Sequence, residues 1–140
     1  MSDRFFLDTN IFIYSFDKGE ERKQRLSRKL IRDALENNSG IISYQVIQEF
    51  MNVALSKFVK PLSVNDAKNY LNNVLLPLCE IFPNIPFYEK SLTIRDETGF
   101  SFYDSLIITA ALEGNCSVLY TEDLQHERAI RTVTILNPFI

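Results

Sequence analysis

A chain of 140 residues, 46% hydrophobic and 24% charged, is one domain of ordinary size with enough apolar surface for a core, and its composition suits neither disorder nor a membrane span. A net charge of −3 and a pI near 5.2 speak against a general nucleic-acid coat, although a carboxylate cluster can itself supply that charge. The single histidine, His126, does not readily supply a His-based zinc site, a Ser-His-Asp triad or a two-histidine acid–base pair, so carboxylates are the expected carriers of any catalysis.

The chain opens on Met-Ser-Asp-Arg with no apolar leader, which reads as a cytoplasmic protein. Phe5–Leu7 is apolar enough to cross a buried parallel sheet as its first strand, and Asp8-Thr9-Asn10 follows where that strand ends. Ile11–Tyr14 continues as an apolar helix ending near Asp17-Lys18-Gly19. A second helix covers Glu20–Asn37, with Leu26, Leu30 and Ala34 inward (Ile31 and Leu35 beside them), and Asn37-Asn38-Ser39-Gly40 stops it. Ile41-Ile42 is a short strand, Ser43 an N-cap, and Tyr44–Phe58 a helix burying Val46, Ile47, Phe50, Val53 and Ala54.

Pro61 and Ser63 mark a break before a helix over Val64–Leu78. Cys79–Phe82 reads as a third strand, closed by Pro83 and Pro86. The patterning of Phe87–Thr98 is helical and ends at Gly99. Another helix starts at Ser101, packs Leu106, Ile107, Ala110 and Ala111, and stops at Gly114-Asn115. Val118–Tyr120 is a fourth strand, a short helix or turn follows from Leu124, and Val133–Leu136 is the last strand. Cys79 and Cys116 match no metal or redox spacing and read as reduced core residues. Strands alternating with helices across 1–140, without linker or repeat, predict a single domain with a three-layer α/β/α sandwich and a mainly parallel central sheet.

In such a sheet ligands collect at the carboxyl ends of the strands. Asp8 follows the first strand and Asp123 the fourth. Glu49 lies one turn beyond Gln45 on the helix after the second strand, and Asp104 lies in the first turn of the helix begun by Ser101. Each acid also has an ordinary structural reading: Asp8 and Asp123 as helix caps, Asp104 in a capping box reaching back to the Ser101 amide, Glu49 as a solvated helix residue. Together they crowd like charges that a cation compensates. Oxygen donors without His or thiolate suit Mg²⁺ or Mn²⁺, and such ions hydrolyse phosphodiesters by acidifying water and offsetting charge on the leaving oxygen.

Asp8-Thr9-Asn10 after an apolar strand resembles the opening motif of the PIN-domain nucleases. Ser43-Tyr44-Gln45-Val46-Ile47-Gln48-Glu49 is similar to their second motif, Phe102-Tyr103-Asp104-Ser105 to their third, and Tyr120-Thr121-Glu122-Asp123-Leu124 to their fourth. Ile135–Phe139 resembles the closing strand of the VapC-type toxins in that family. The resemblance spans nearly the whole chain in order. It departs at Ser105, where many members have alanine, and at Glu127-Arg128, where glycine is frequent. It implies that Asp8, Glu49, Asp104 and Asp123 bind Mg²⁺ or Mn²⁺ as the catalytic set, with Asn10 and Thr121 supporting the site. It implies also an endoribonuclease that is the toxin of a toxin–antitoxin pair, with an antitoxin protein as partner and a homodimer as its assembly. The alternative is a catalytically silent PIN module that binds RNA or a protein.

Arg25, Arg28, Lys29 and Arg32 form a basic stripe on the second helix that either tracks RNA phosphates or is simply a solvated face. Tyr14, Phe16 and Tyr103 are aromatic candidates for base stacking or for core packing.

Overall fold

The computed structural model describes residues 3–140. Six strands form one sheet: β1 (Phe5–Leu7), β2 (Gly40–Ser43), β3 (Cys79–Ile81), β4 (Val118–Tyr120), β5 (Ala129–Ile130) and β6 (Val133–Leu136). They lie in the order β3-β2-β1-β4-β6-β5, all pairs parallel except the β5–β6 hairpin. The helices are α1 (Thr9–Tyr14), α2 (Glu21–Asn37), α3 (Tyr44–Ser56), α4 (Val64–Tyr70), α5 (Leu76–Leu78), α6 (Ile85–Thr98) and α7 (Phe102–Glu113).

Two glycines show how the layers stack. A Cβ on Gly40 would lie 2.3 Å from the Ala34 methyl of α2, and a Cβ on Gly114, after α7, would lie 2.1 Å from Ile41 Cδ1. Gly40 and Ile41 are successive strand residues and face opposite sides of the sheet. So α2 covers one face and α7 the other, which gives the expected three layers. Phe6, Leu7, Ile41, Ile42, Leu119 and Ile135 are fully buried between them. Burial of Ser105–Ala111 around the whole circumference of α7 follows from its place between the sheet and α6. The Ser91 hydroxyl lies 2.9 Å from that of Thr109 across the α6–α7 contact, so the polar groups enclosed there pair with each other.

Several elements depart from expectation, each for a local reason. The left-handed residue ending α2 is Asn38, with φ 51°, while Gly40 is retained for close approach rather than for a turn. On α2 the buried residues are Ser27, Ile31 and Ala34, with Leu26, Leu30 and Leu35 half-buried. Ser43 begins α3 without a side-chain capping bond, and its buried Oγ has no partner among the described residues. The expected Val64–Leu78 helix contains a π-helical turn at Leu71–Leu75. That turn ends two residues before Pro77, which has no amide to donate and whose ring crowds the carbonyl one turn back. Asn84 caps α6 through a 2.8 Å bond from the Phe87 amide, so Pro86 starts that helix instead of closing β3. After Leu124 the chain makes turns and then β5, which the sequence did not announce. Its two residues turn at Arg131, with φ 52°, where no glycine or asparagine signals a hairpin.

Candidate active site

Parallel pairing carries the ends of β1 and β4 to the same rim, in register from Phe5 with Val118 to Leu7 with Tyr120. The Asp8 amide donates to the Tyr120 carbonyl at 3.1 Å and the Thr121 amide to that of Leu136 at 3.0 Å. Asp8 and Thr121 therefore leave the sheet side by side. Thr121 Oγ1 donates to Asp8 Oδ2 at 2.8 Å. The same oxygen accepts from the Asp123 amide at 3.1 Å and from Asn10 Nδ2 at 3.4 Å. One hydroxyl thus uses its proton and both lone pairs at the site. Asn10 Nδ2 also donates to Asp123 Oδ2 at 3.0 Å.

Asp8 is a cap, as its ordinary reading held: its Oδ1 accepts from the Thr9 amide at 2.7 Å. It is also more than a cap. Burial pushes its carboxyl up to about 7; the bonds from Thr121 and Thr9 work against that, while the charges of Glu49 and Asp123 add to it. Glu49 on α3 is exposed and accepts from Thr9 Oγ1 at 2.9 Å. This joins α3 to the start of α1 through Thr9, which the sequence places beside Asp8 to hold it or to start the helix, and whose hydroxyl also holds Glu49.

Asp104 stands in the first turn of α7, where its amide donates to Ser101 Oγ at 3.1 Å. Among the described residues no bond returns from the Ser101 amide to the Asp104 carboxylate, so only half of the expected capping box forms. Gln45 Nε2 lies 3.4 Å from the Tyr103 carbonyl, which sets the first turn of α3 against the first turn of α7. Asp8, Asn10, Glu49, Thr121 and Asp123 thus belong to one bonded network; the Asp104 carboxylate makes no hydrogen bond to it among the described residues, and its helix is tied to α3 through Gln45 and Tyr103.

Among the described residues no three His, Cys, Asp or Glu side chains converge closely enough to enclose an ion. The acids form an open rim. This donor set fits a hard cation that keeps part of its hydration shell, as Mg²⁺ does. Asn10 Oδ1 is buried without a hydrogen-bond partner among the described residues, which leaves a neutral oxygen donor next to Asp123.

The basic stripe is not part of this network. Arg28 Nε donates to the Ser15 carbonyl at 2.9 Å, and Lys29 pairs with Asp33 at 3.4 Å. Arg28 and Arg32 line a cavity of about 400 Å³ with Phe16, Ile31, Leu35 and Tyr70, while Arg25 is exposed. The basic residue of α2 that reaches the rim is Lys23, whose Nζ lies 2.6 Å from Glu122 Oε2. Tyr14 OH donates to Glu122 Oε1 at 2.6 Å. Partial burial opposes ionisation of Glu122, but the bonds from Lys23 and Tyr14 outweigh it and hold the carboxyl below its usual range. Tyr14 stands one turn after Asn10 on α1, a spacing that could have revealed the pair. Of the three aromatic candidates, Tyr14 packs on Phe139 and Phe16 on Phe50, Phe58 and Tyr70. Tyr103, 68% exposed, meets the Phe102 ring edge-on at 6.0 Å and turns most of its surface to solvent. The lone histidine has a structural duty: His126 Nδ1 accepts from the Asn137 amide at 2.9 Å. Both cysteines are free thiols, and burial pushes Cys116 up to about 12. No described helix is long and apolar enough to cross a membrane.

No curated protein sequence matches the chain. Among solved structures, a toxin–antitoxin complex from Klebsiella pneumoniae is similar at 20% identity and a TM-score of 0.69, over 95% of this chain and 96% of that one. FitAcB from Neisseria gonorrhoeae is similar at 18% identity and 0.65, over 96% and 98%. VapC20 from Mycobacterium tuberculosis, a sarcin-ricin loop cleaving toxin, is similar at 18% and 0.61, over 85% and 91%. At these identities the likeness establishes a shared fold. The sequence evidence is more direct: the family model of the PIN domain matches residues 5–131, from the first residue of β1 past Asp123 to the hairpin turn, and the chain belongs to the PIN-domain family.

Proposed function

We propose that this PIN domain is a metal-dependent endoribonuclease, the toxin of a toxin–antitoxin pair, which acts in the cytoplasm as a homodimer restrained by a small antitoxin protein. The observation that carries the proposal is the state of Asp8. A carboxyl pushed up to about 7 by burial, with Glu49 and Asp123 adding to the shift, gains most from a nearby cation. The oxygen-only donors, and the unpaired Asn10 Oδ1 beside them, favour Mg²⁺ or Mn²⁺. Asp8, Glu49, Asp104 and Asp123 would hold the ion, which supplies Lewis acidity toward water and the phosphodiester.

The chain's own residues do the rest. Thr121 and the Thr9 amide fix the two oxygens of Asp8, Thr9 Oγ1 fixes Glu49, and Asn10 fixes Asp123. The bonded carboxylates are thus oriented before substrate arrives, which lowers the cost of reorganisation in the reaction. In-line attack by water leaves 5′-phosphate and 3′-hydroxyl ends. The structural relatives that are toxins of toxin–antitoxin pairs support the antitoxin partner.

The test is cleavage of RNA by the purified protein in Mg²⁺ or Mn²⁺, with a chelator control and Asp104→Asn prepared identically. Cleavage that requires metal and disappears in the variant supports the proposal. Cleavage unchanged in the variant overturns the site. No stabilisation by metal together with no cleavage of any RNA offered would favour the silent module.

A further inference from the structure

Asn10 and Tyr14 lie one turn apart on α1, and each holds one of two successive acids in the loop after β4. Asn10 Nδ2 donates to Asp123 Oδ2 at 3.0 Å, and Tyr14 OH donates to Glu122 Oε1 at 2.6 Å. On the far side of Glu122, Lys23 Nζ sits 2.6 Å from Oε2 and 3.3 Å from the Tyr14 hydroxyl oxygen. That ammonium also lies 4.6 Å from the Tyr14 ring centroid and 5.5 Å from that of Phe139. Arg22 in turn donates to the Phe139 carbonyl at 2.6 Å. Both oxygens of Glu122 are therefore engaged, in a corner packed by two aromatic rings and reached from α1 and α2.

We propose that Glu122, gripped by Tyr14 and Lys23, is a positioning residue that fixes the 121–123 loop so that Asp123 faces the acid rim. The inference rests on the metal-site reading above and adds three residues to it. Asp123 is exposed, and its side chain is steered from within the network by Asn10. The Asp123 amide is held by Thr121 Oγ1 at 3.1 Å, which leaves the intervening residue to be fixed by its own side chain. The grip on Glu122 supplies that attachment, one turn further along the same helix than Asn10. The Lys23 charge spends itself on Glu122 and so holds the loop in place of contacting substrate.

The test measures Mn²⁺-induced thermal stabilisation, with Asp104→Asn as the control for the site itself. In Glu122→Gln and Lys23→Met the half-saturating Mn²⁺ concentration should rise about tenfold, the lower end of what loss of a supporting hydrogen bond costs a metal site. Tyr14→Phe, which keeps the ring on Phe139, should raise it less. Lys23→Arg, which retains the ion pair, should restore the wild-type midpoint. In RNA cleavage, kcat should fall with KM little changed, since the loop orients an acid and does not bind the strand. Variants whose metal-free melting temperature drops while the midpoint stays at the wild-type value would overturn the inference and leave Glu122 a plain structural strut. A midpoint that moves in Asp104→Asn but not in Glu122→Gln would overturn it and keep the metal site. No Mn²⁺ response in the wild type would overturn the metal site and this inference together.

Discussion

The two sides of the acidic rim are built differently. On one side Asp8 and Thr121 directly follow the paired strands β1 and β4, and with Asn10 at the start of α1 and Asp123 in the loop after β4 they bond one another. On the other, Glu49 rides on the second turn of α3 and Asp104 on the first turn of α7, with one bond from Thr9 to Glu49 and none to the Asp104 carboxylate among the described residues. The strand side is fixed by backbone register, and its cost is a buried carboxyl that resists ionisation. The helix side carries its charges in contact with water at little cost, and its geometry depends on how the helices pack. The first side is arranged for position and the second for adjustment.

The sharpest way to break that contrast is at the adjustable end. Asp104→Asn should cut metal-dependent RNA cleavage by more than about 100-fold, beyond the range of residues that merely support a ligand, while its metal-free melting temperature stays near wild type. A large stability change would mean that Asp104 is embedded like Asp8.

Acidity separates the sides next. Asp8 holds its proton to about 7 in the folded chain, against 3.8 for the unperturbed group, so between those values the native state binds the extra proton. Metal-free stability from this group is therefore present at low pH and lost as pH rises through 7. Urea unfolding at pH 5 and pH 8 should differ by roughly 2–3 kcal/mol from Asp8. The difference should shrink in Asp8→Asn and in saturating Mn²⁺. A wild type whose stability ignores this window would remove the argument for a strained carboxyl.

Thr121→Val tests the network itself. It removes the donor to Asp8 and the acceptor for the Asp123 amide, and should cost about 1–3 kcal/mol in denaturant unfolding, whereas Ser101→Ala at the helix end should cost about 1 kcal/mol. The smallest effect is expected on α2: Arg25→Ala and Arg32→Ala should weaken cleavage a few-fold at low salt and less as salt rises. A loss as deep as that of Asp104→Asn would place the basic stripe in the site.

Much of this was legible in residue order. Phe5–Leu7 followed by Asp8 declares a strand and what stands at its end, and the same logic places Asp123 after Val118–Tyr120. The parallel sheet follows from alternation, and α7 from its cap at Ser101 and its apolar run. What stayed hidden depends on contacts across the chain. Lys23 and Glu122 are 99 residues apart, and nothing local distinguishes Lys23 from Lys29 on the same helix. Gly40 reads as a turn residue because its real constraint, the Ala34 methyl, belongs to another layer. Hairpin β5–β6 is too short for periodicity, and the π-helical turn shows only once Pro77 is set inside a helix.

Gly40 has a further consequence. Because α2 rests on the sheet at Ala34, with room there for a hydrogen and not for a methyl group, Gly40 sets the spacing of that helix from β2. Lys23 lies eleven positions toward the other end, about 16 Å along the axis. A single carbon added at Gly40 should push α2 off the sheet, and a shift of the whole helix would carry Lys23 away from Glu122. The reach of an ammonium to the loop beside Asp123 is thus gauged by the thickness of one glycine.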